Sequence, residues 1–291
     1  MGTRRQVVSA LVVLVSLTAC SPGSDGGSDD VSPPATATTG AAPTTAPAAA
    51  GTATSYVALG DSFTVGPGIG DPQQDAGFCQ RSTANWPSLV AAANDLALTD
   101  LSCVGATTAD LASTLASGVL DASPRYVTVS TGGNDSALFT SLITSCAGGQ
   151  GSCASFVEGQ VPDILARTTS DIAALLTEVQ AEVPDARVLL VGYPRIAPET
   201  GGCDTIGIPD SSSVLAAETA LDASLAEAAE RSGTQYVSLR ADSLGHDACS
   251  GTDAWTNGRT AAPGDGIGFH PTARGMEAIA GIVARAAEQP G

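Results

Sequence analysis

From residue 54 onward, short apolar runs rich in β-branched residues alternate with longer amphipathic segments. That alternation constrains the fold more than any other feature of the chain. Thr54–Gly60, Thr99–Cys103, Arg125–Thr131, Arg187–Gly192 and Gln235–Leu239 read as strands. Trp86–Leu98, Ala109–Leu115, a segment opened by Asp135, Phe156–Val183, Ser212–Ser232 and Thr272–Glu288 read as helices. Pro87 falls in a first helical turn, and Pro162 marks a start or kink inside the long helical stretch. Strands that alternate with helices build right-handed βαβ units, so the expected fold is a three-layer α/β/α sandwich. Its flavodoxin-like parallel sheet should have about five strands. Ligands in such sheets gather at the carboxyl ends of the strands, so chemistry is sought just after each strand.

Composition removes several classes of function. Hydrophobic residues make up 43% of the 291-residue chain and charged ones 14%, enough to bury a core. Thirty acidic residues face 12 basic ones, all Arg, for a net charge of −18. Without Lys there is neither a Walker-type phosphate loop nor a Schiff-base nucleophile. Gly66-Pro67-Gly68-Ile69-Gly70 follows the first strand, but Asp71 stands where a dinucleotide fingerprint needs its third Gly. The negative charge repels phosphate backbones, so no nucleic-acid partner is expected. His246 and His270 are the only histidines, which leaves no H-E-x-x-H and no His-rich metal site. Neither a metal nor an organic cofactor is expected, and a monomer suffices.

The amino-terminal region has a different texture. Residues 1–20 read as a signal peptide: Arg4 and Arg5 precede the apolar run Val7–Leu17, too short for the ~20 residues of a membrane-spanning helix. Its end, Leu17-Thr18-Ala19-Cys20, resembles a lipobox, in which the Cys becomes a lipidated first residue. Residues 21–53 are almost entirely Ser, Pro, Gly, Asp, Ala and Thr and read as a disordered tether. As a flexible coil it would reach roughly 30 Å. Residues 54–291 form the expected folded domain.

Seven cysteines less Cys20 leave six, an even number in an exported chain, which reads as a disulfide framework. Six cysteines admit many pairings. The sequential one is favoured: Cys79–Cys103, Cys146–Cys153 and Cys203–Cys249, each closing a loop-rich interval.

Four signals fall on strand ends or loops. The first strand runs into Gly60-Asp61-Ser62-Phe63, a tight turn that can project a hydroxyl. After the second strand comes Cys103-Val104-Gly105-Ala106, where a Gly can turn its N–H toward an anion. The third runs into Gly132-Gly133-Asn134-Asp135, with a side-chain amide donor. Near the end stands Phe269-His270-Pro271-Thr272, a His just ahead of a helix. Each alone is ordinary turn or cap chemistry. Together they supply an alcohol, a base and three oxyanion donors: the N–H groups of Ser62 and Gly105 and the Asn134 amide. That set serves acyl transfer. His246, beside Cys249 in a polar loop, reads as structural or rim-lining.

This constellation resembles the SGNH, or GDSL, hydrolase family, whose name lists the residue types found at Ser62, Gly105, Asn134 and His270. The resemblance spans roughly Thr54 to Glu288. Within the family it looks most like the secreted actinobacterial esterase and lipase branch, through Phe78-Cys79-Gln80-Arg81-Ser82, Asn85-Trp86-Pro87, Val191-Gly192-Tyr193-Pro194-Arg195, Gly245-His246-Asp247-Ala248-Cys249 and Phe269-His270-Pro271. Three sequential disulfides are implied by that branch as well. One position departs from the family pattern, which places an acid three residues before the base: here that position is Ile267. Spacing and the branch resemblance favour the Ile267 backbone carbonyl as the group that orients His270, while charge favours the nearby Asp265.

The expected protein is therefore an extracytoplasmic, lipid-anchored carboxylic-ester hydrolase, held by Cys20 at the outer face of a bacterial cytoplasmic membrane or released from it. A deacetylase of cell-envelope polysaccharide and a catalytically silent lipid- or glycan-binding lipoprotein are the alternatives.

Overall fold

A computed structural model describes residues 55–120, 124–147, 150–208 and 211–289. The expected signal peptide, tether and Cys20 lie outside the described residues. Five strands form one parallel sheet: β1 (Ser55–Gly60), β2 (Ala97–Asp100), β3 (Tyr126–Ser130), β4 (Arg187–Val191) and β5 (Gln235–Val237), in the order β2-β1-β3-β4-β5. The helices are α1 (Ser62–Val65), α2 (Trp86–Ala93), α3 (Thr108–Ala116), α4 (Leu138–Ala147), α5 (Gln150–Gly159), α6 (Val161–Glu182), α7 (Ser212–Ser232) and α8 (Ala273–Glu288). This is the expected α/β/α sandwich.

Strand periodicity divides the core in two, because alternate side chains leave opposite faces of a sheet. Val57, Leu59, Val127, Val129, Val188 and Leu190 pack with residues of α3 through α7 on one face. Tyr56, Ala58, Leu189, Val191 and Val237 pack with Trp86 and Val90 of α2 and with Met276, Ile279 and Val283 of α8 on the other. Where Thr128 interrupts the apolar face of β3, the Tyr56 hydroxyl pairs with its hydroxyl at 2.8 Å, so neither polar group is stranded.

Several boundaries differ from the sequence expectation. The helix opened by Asn85 and Pro87 stops at Ala93, because Asp95 takes a left-handed turn (φ 51°) and Ala97 already pairs with Ser55. The second strand therefore begins two residues earlier than expected. Its expected end reflects real bonding: Leu101 and Cys103 still donate to Ala58 and Gly60 of β1, at 2.8 and 3.0 Å. The long helix is two, α5 and α6, divided at Gln160, with Pro162 in the first turn of α6.

All six cysteines of the domain pair sequentially: Cys79 with Cys103, Cys146 with Cys153 and Cys203 with Cys249. The first ties the loop after α1 to the loop after β2, and the third joins the loops after β4 and β5. Across 24 and 46 residues, each such crosslink limits the unfolded chain by roughly 3–4 kcal/mol in a chain-entropy picture.

Candidate active site

The turn after β1 is built by Asp61. Its backbone is extended and its Oδ1 accepts the Phe63 N–H at 2.9 Å, so it caps a four-residue helix whose first residue is Ser62. The cap sets the direction of the Ser62 side chain, which is almost fully buried. His270 comes from just before α8, where Thr272 caps the helix by accepting the Gly275 N–H at 2.9 Å. The structure brings these two residues, 208 positions apart, to a Ser62 Oγ···His270 Nε2 distance of 2.8 Å.

The other ring nitrogen decides the tautomer. His270 Nδ1 lies 2.8 Å from the Gly268 carbonyl oxygen, which can only accept. Nδ1 therefore carries the hydrogen, and Nε2 presents its lone pair to the serine hydroxyl. Burial holds the imidazole below its ordinary pKa, opposed in part by the hydrogen bond to Gly268. The ring thus stays neutral, as a base must be. Phe63 covers it, with ring centroids 5.1 Å apart.

Here the structure departs from the expected third member. Neither the Ile267 carbonyl nor Asp265 reaches Nδ1. The Ile267 carbonyl accepts the His270 backbone N–H at 3.2 Å, and the Asp265 carboxylate accepts the Ala273 N–H at the start of α8 at 2.7 Å. Phe269 adopts φ 60°, and that left-handed turn folds the carbonyl two residues before the base, rather than three, back onto its ring. Gly268 tolerates no side chain there, because a Cβ would stand 2.5 Å from the Arg259 carbonyl oxygen. Asp265→Asn should accordingly keep kcat within about tenfold of the parent, where loss of a triad acid costs on the order of 10⁴. A drop of the larger size in a variant with parental circular dichroism would return Asp265 to the catalytic set.

The three expected oxyanion donors come from three segments. Ser62 contributes the first N–H of α1, and Gly105 an N–H from a turn with φ 76° that favours glycine. Neither amide has an acceptor among the described residues. Asn134 directs one Nδ2 hydrogen to the Ala106 carbonyl at 3.0 Å, which ties it to the Gly105 loop and leaves its second hydrogen available. Asp135 fixes the same loop from the other side, accepting the Thr108 N–H at 2.8 Å and its hydroxyl at 2.7 Å. His246 lies elsewhere: it stacks on Trp255 at 4.6 Å, and its Nδ1 meets the Asp253 carbonyl. Two residues near Ser62 had no assigned role in the sequence, although both stand in quoted stretches: Asp61 and Tyr193 share a 2.6 Å hydrogen bond.

Phe139, Leu142, Ile196, Ile206, Ile208, Glu218 and Phe269 line a small cavity of about 20 Å³, room for about one water. Among the described residues no cluster of three or more His, Cys, Asp or Glu could hold a metal ion, and no helix is long and apolar enough to cross a membrane.

Comparison with known proteins identifies the family. The model of the GDSL-like lipase/acylhydrolase family matches residues 58–278. Lipase 2 of Streptomyces coelicolor is 36% identical over 223 residues, covering 70% of this chain and 76% of that protein. A lipase of Streptomyces rimosus is 30% identical over 227 residues, covering 77% of this chain and 83% of its own length. In structure, the extracellular lipase from Streptomyces rimosus superposes with a TM-score of 0.70 at 28% identity, over 80% of this chain and all of that one. Phospholipase A1 from Streptomyces albidoflavus gives a TM-score of 0.67 at 28% identity, over 81% of this chain and all of that one. The sheet, the family model and these relatives together show that the chain belongs to the GDSL-like lipase/acylhydrolase family and is an ester hydrolase.

Proposed function

We propose that hydrolysis runs through a Ser62–His270 dyad oriented by the Gly268 carbonyl. The observation that carries this reading is the 2.8 Å contact between Ser62 Oγ and His270 Nε2, with Nδ1 committed to a pure acceptor. Nε2 takes the hydroxyl proton as Oγ bonds to the ester carbonyl carbon. The carbonyl oxygen becomes an anion facing the N–H groups of Ser62 and Gly105 and the free Nδ2 hydrogen of Asn134. When the intermediate collapses, the carbon–oxygen bond to the alcohol breaks, and the imidazolium gives its proton to the departing oxygen. Water then repeats the sequence on the acyl-serine and releases the acid.

Relatives described as lipases and a phospholipase A1 support an acyl chain longer than acetyl. A fluorophosphonate should label the purified protein at Ser62, and chromogenic esters should turn over faster as the acyl chain lengthens from acetyl. Selective turnover of acetyl esters would favour a polysaccharide deacetylase, and an unlabelled Ser62 would leave only a binding protein.

The enzyme is further proposed to work at the outer face of a cytoplasmic membrane, anchored by lipid on Cys20 through the residue 21–53 tether. Cys20→Ala should release the protein from the membrane fraction with unchanged turnover. Its full retention there would refute the anchor.

A further inference from the structure

Asp61 is a carboxylic acid without solvent access that takes no part in these proton transfers. Its two oxygens have separate partners. Oδ1 accepts the Phe63 N–H, and Oδ2 accepts the Tyr193 hydroxyl. The Tyr193 oxygen in turn accepts the Gly133 N–H at 3.0 Å. Three strand ends therefore meet at one phenol: Asp61 follows β1, Gly133 follows β3 and Tyr193 follows β4. Asp61 immediately precedes Ser62, and Gly133 immediately precedes Asn134.

The location of this chain of bonds separates it from ordinary sheet stabilisation. The ladder between β1 and β3 closes with Gly60 opposite Ser130, and the Asp61 N–H still reaches the Ser130 carbonyl at 3.2 Å. Beyond that point backbone pairing ends, and the residues that carry the oxyanion donors begin. On the β3 side these donors form one body, since Asn134 and Asp135 both bond the segment Ala106–Thr108. Ser62 adjoins that body through the backbone bonds at Gly60 and Asp61, and the phenol adds a side-chain link beyond them. Its ring is held edge-on between Phe63 and Phe139, with centroids 5.1 Å away in each case. Burial and the adjacent Asp61 also push the phenol pKa well above its usual value, so the hydroxyl remains a donor across the working pH range.

We infer that Asp61, Tyr193 and Gly133 form a positioning device that holds the Ser62 N–H and the Asn134 amide at the separation needed to serve one oxyanion. The inference rests on the roles proposed above for Ser62 and Asn134. Neither Asp61 nor Tyr193 is a catalytic residue in this scheme, because neither meets the substrate.

Two variants of the full chain test it. Tyr193→Phe keeps the ring and deletes the bridge. Asp61→Asn retains an oxygen for the Phe63 N–H but offers the tyrosine hydroxyl an N–H where it needs an acceptor. Each should lower kcat by about 10- to 100-fold with KM within about threefold, since a misplaced donor costs transition-state and not ground-state binding. The double variant should lose no more than the worse single one, because both break the same bond. In an Asn134→Ala background, Tyr193→Phe should cost less than about threefold, the donor it positions being gone.

A Tyr193→Phe enzyme with parental kcat overturns the inference. So does a kcat loss undiminished by Asn134→Ala, or a loss that falls on KM. Should Tyr193→Phe not fold, Asp61→Asn measured in the same two backgrounds decides. Parental turnover and fluorophosphonate labelling report on the hydrolase reading itself, so an active parent indifferent to both substitutions removes only the positioning role.

Discussion

His270→Ala should lower kcat by about 10⁶-fold, the scale at which removing either member of a serine–histidine pair disables a hydrolase. Without the imidazole, Ser62 keeps its proton at neutral pH and the departing alkoxide has no donor. Substrate affinity should change little, because the ring acts on the reacting atoms alone. Fluorophosphonate labelling of Ser62 should be lost in parallel, which separates this outcome from a folding defect when circular dichroism is unchanged. A variant with a hundredth of parental activity would mean that another group serves as base.

The same ring sets the pH response. Its pKa is lowered by burial, so the acid limb of kcat/KM should fall below the usual imidazole value of about 6.5. The linked stability has a fixed sign. A histidine depressed in the folded state binds fewer protons there than when unfolded. Its contribution is therefore present above about pH 6.5 and is lost as pH falls through the lower folded value. An acid limb at or above 6.5 would contradict the burial seen around His270.

Asn134→Ala should lower kcat by about 100- to 1000-fold with KM nearly unchanged, because an oxyanion donor is engaged mainly in the transition state. The substitution also removes the 3.0 Å bond to the Ala106 carbonyl, so the Gly105 turn loses one restraint. Some of the loss will therefore reflect movement of the second donor. A change confined to KM would assign Asn134 to substrate binding instead.

The alternation of strand and helix was legible because parallel strands buried on both faces are predominantly apolar, as the run Val188–Val191 is. Ser62, Gly105, Asn134 and His270 were legible because each stands where a strand or loop meets a helix. The orienting carbonyl was not. Backbone carbonyls carry no residue identity, and only the left-handed turn at Phe269 brings that of Gly268 forward in place of that of Ile267. The end of α2 was equally hidden. Helical propensity continues through Leu96 and Leu98, whereas the pairing of Ala97–Asp100 with β1 wins the segment for the sheet. Tyr193 escaped notice because its role depends on partners 60 and 132 residues away.

The 208-residue interval between nucleophile and base also orders events in time. Chain growth delivers Ser62 near the start of the domain and His270 only with its last helix. Until α8 packs Met276, Ile279 and Val283 against the sheet, the serine has no partner to take its proton. A nascent or truncated chain that lacks α8 is thus chemically idle. The onset of ester hydrolysis after dilution from denaturant therefore reports when the segment that carries His270 has joined the one that carries Ser62.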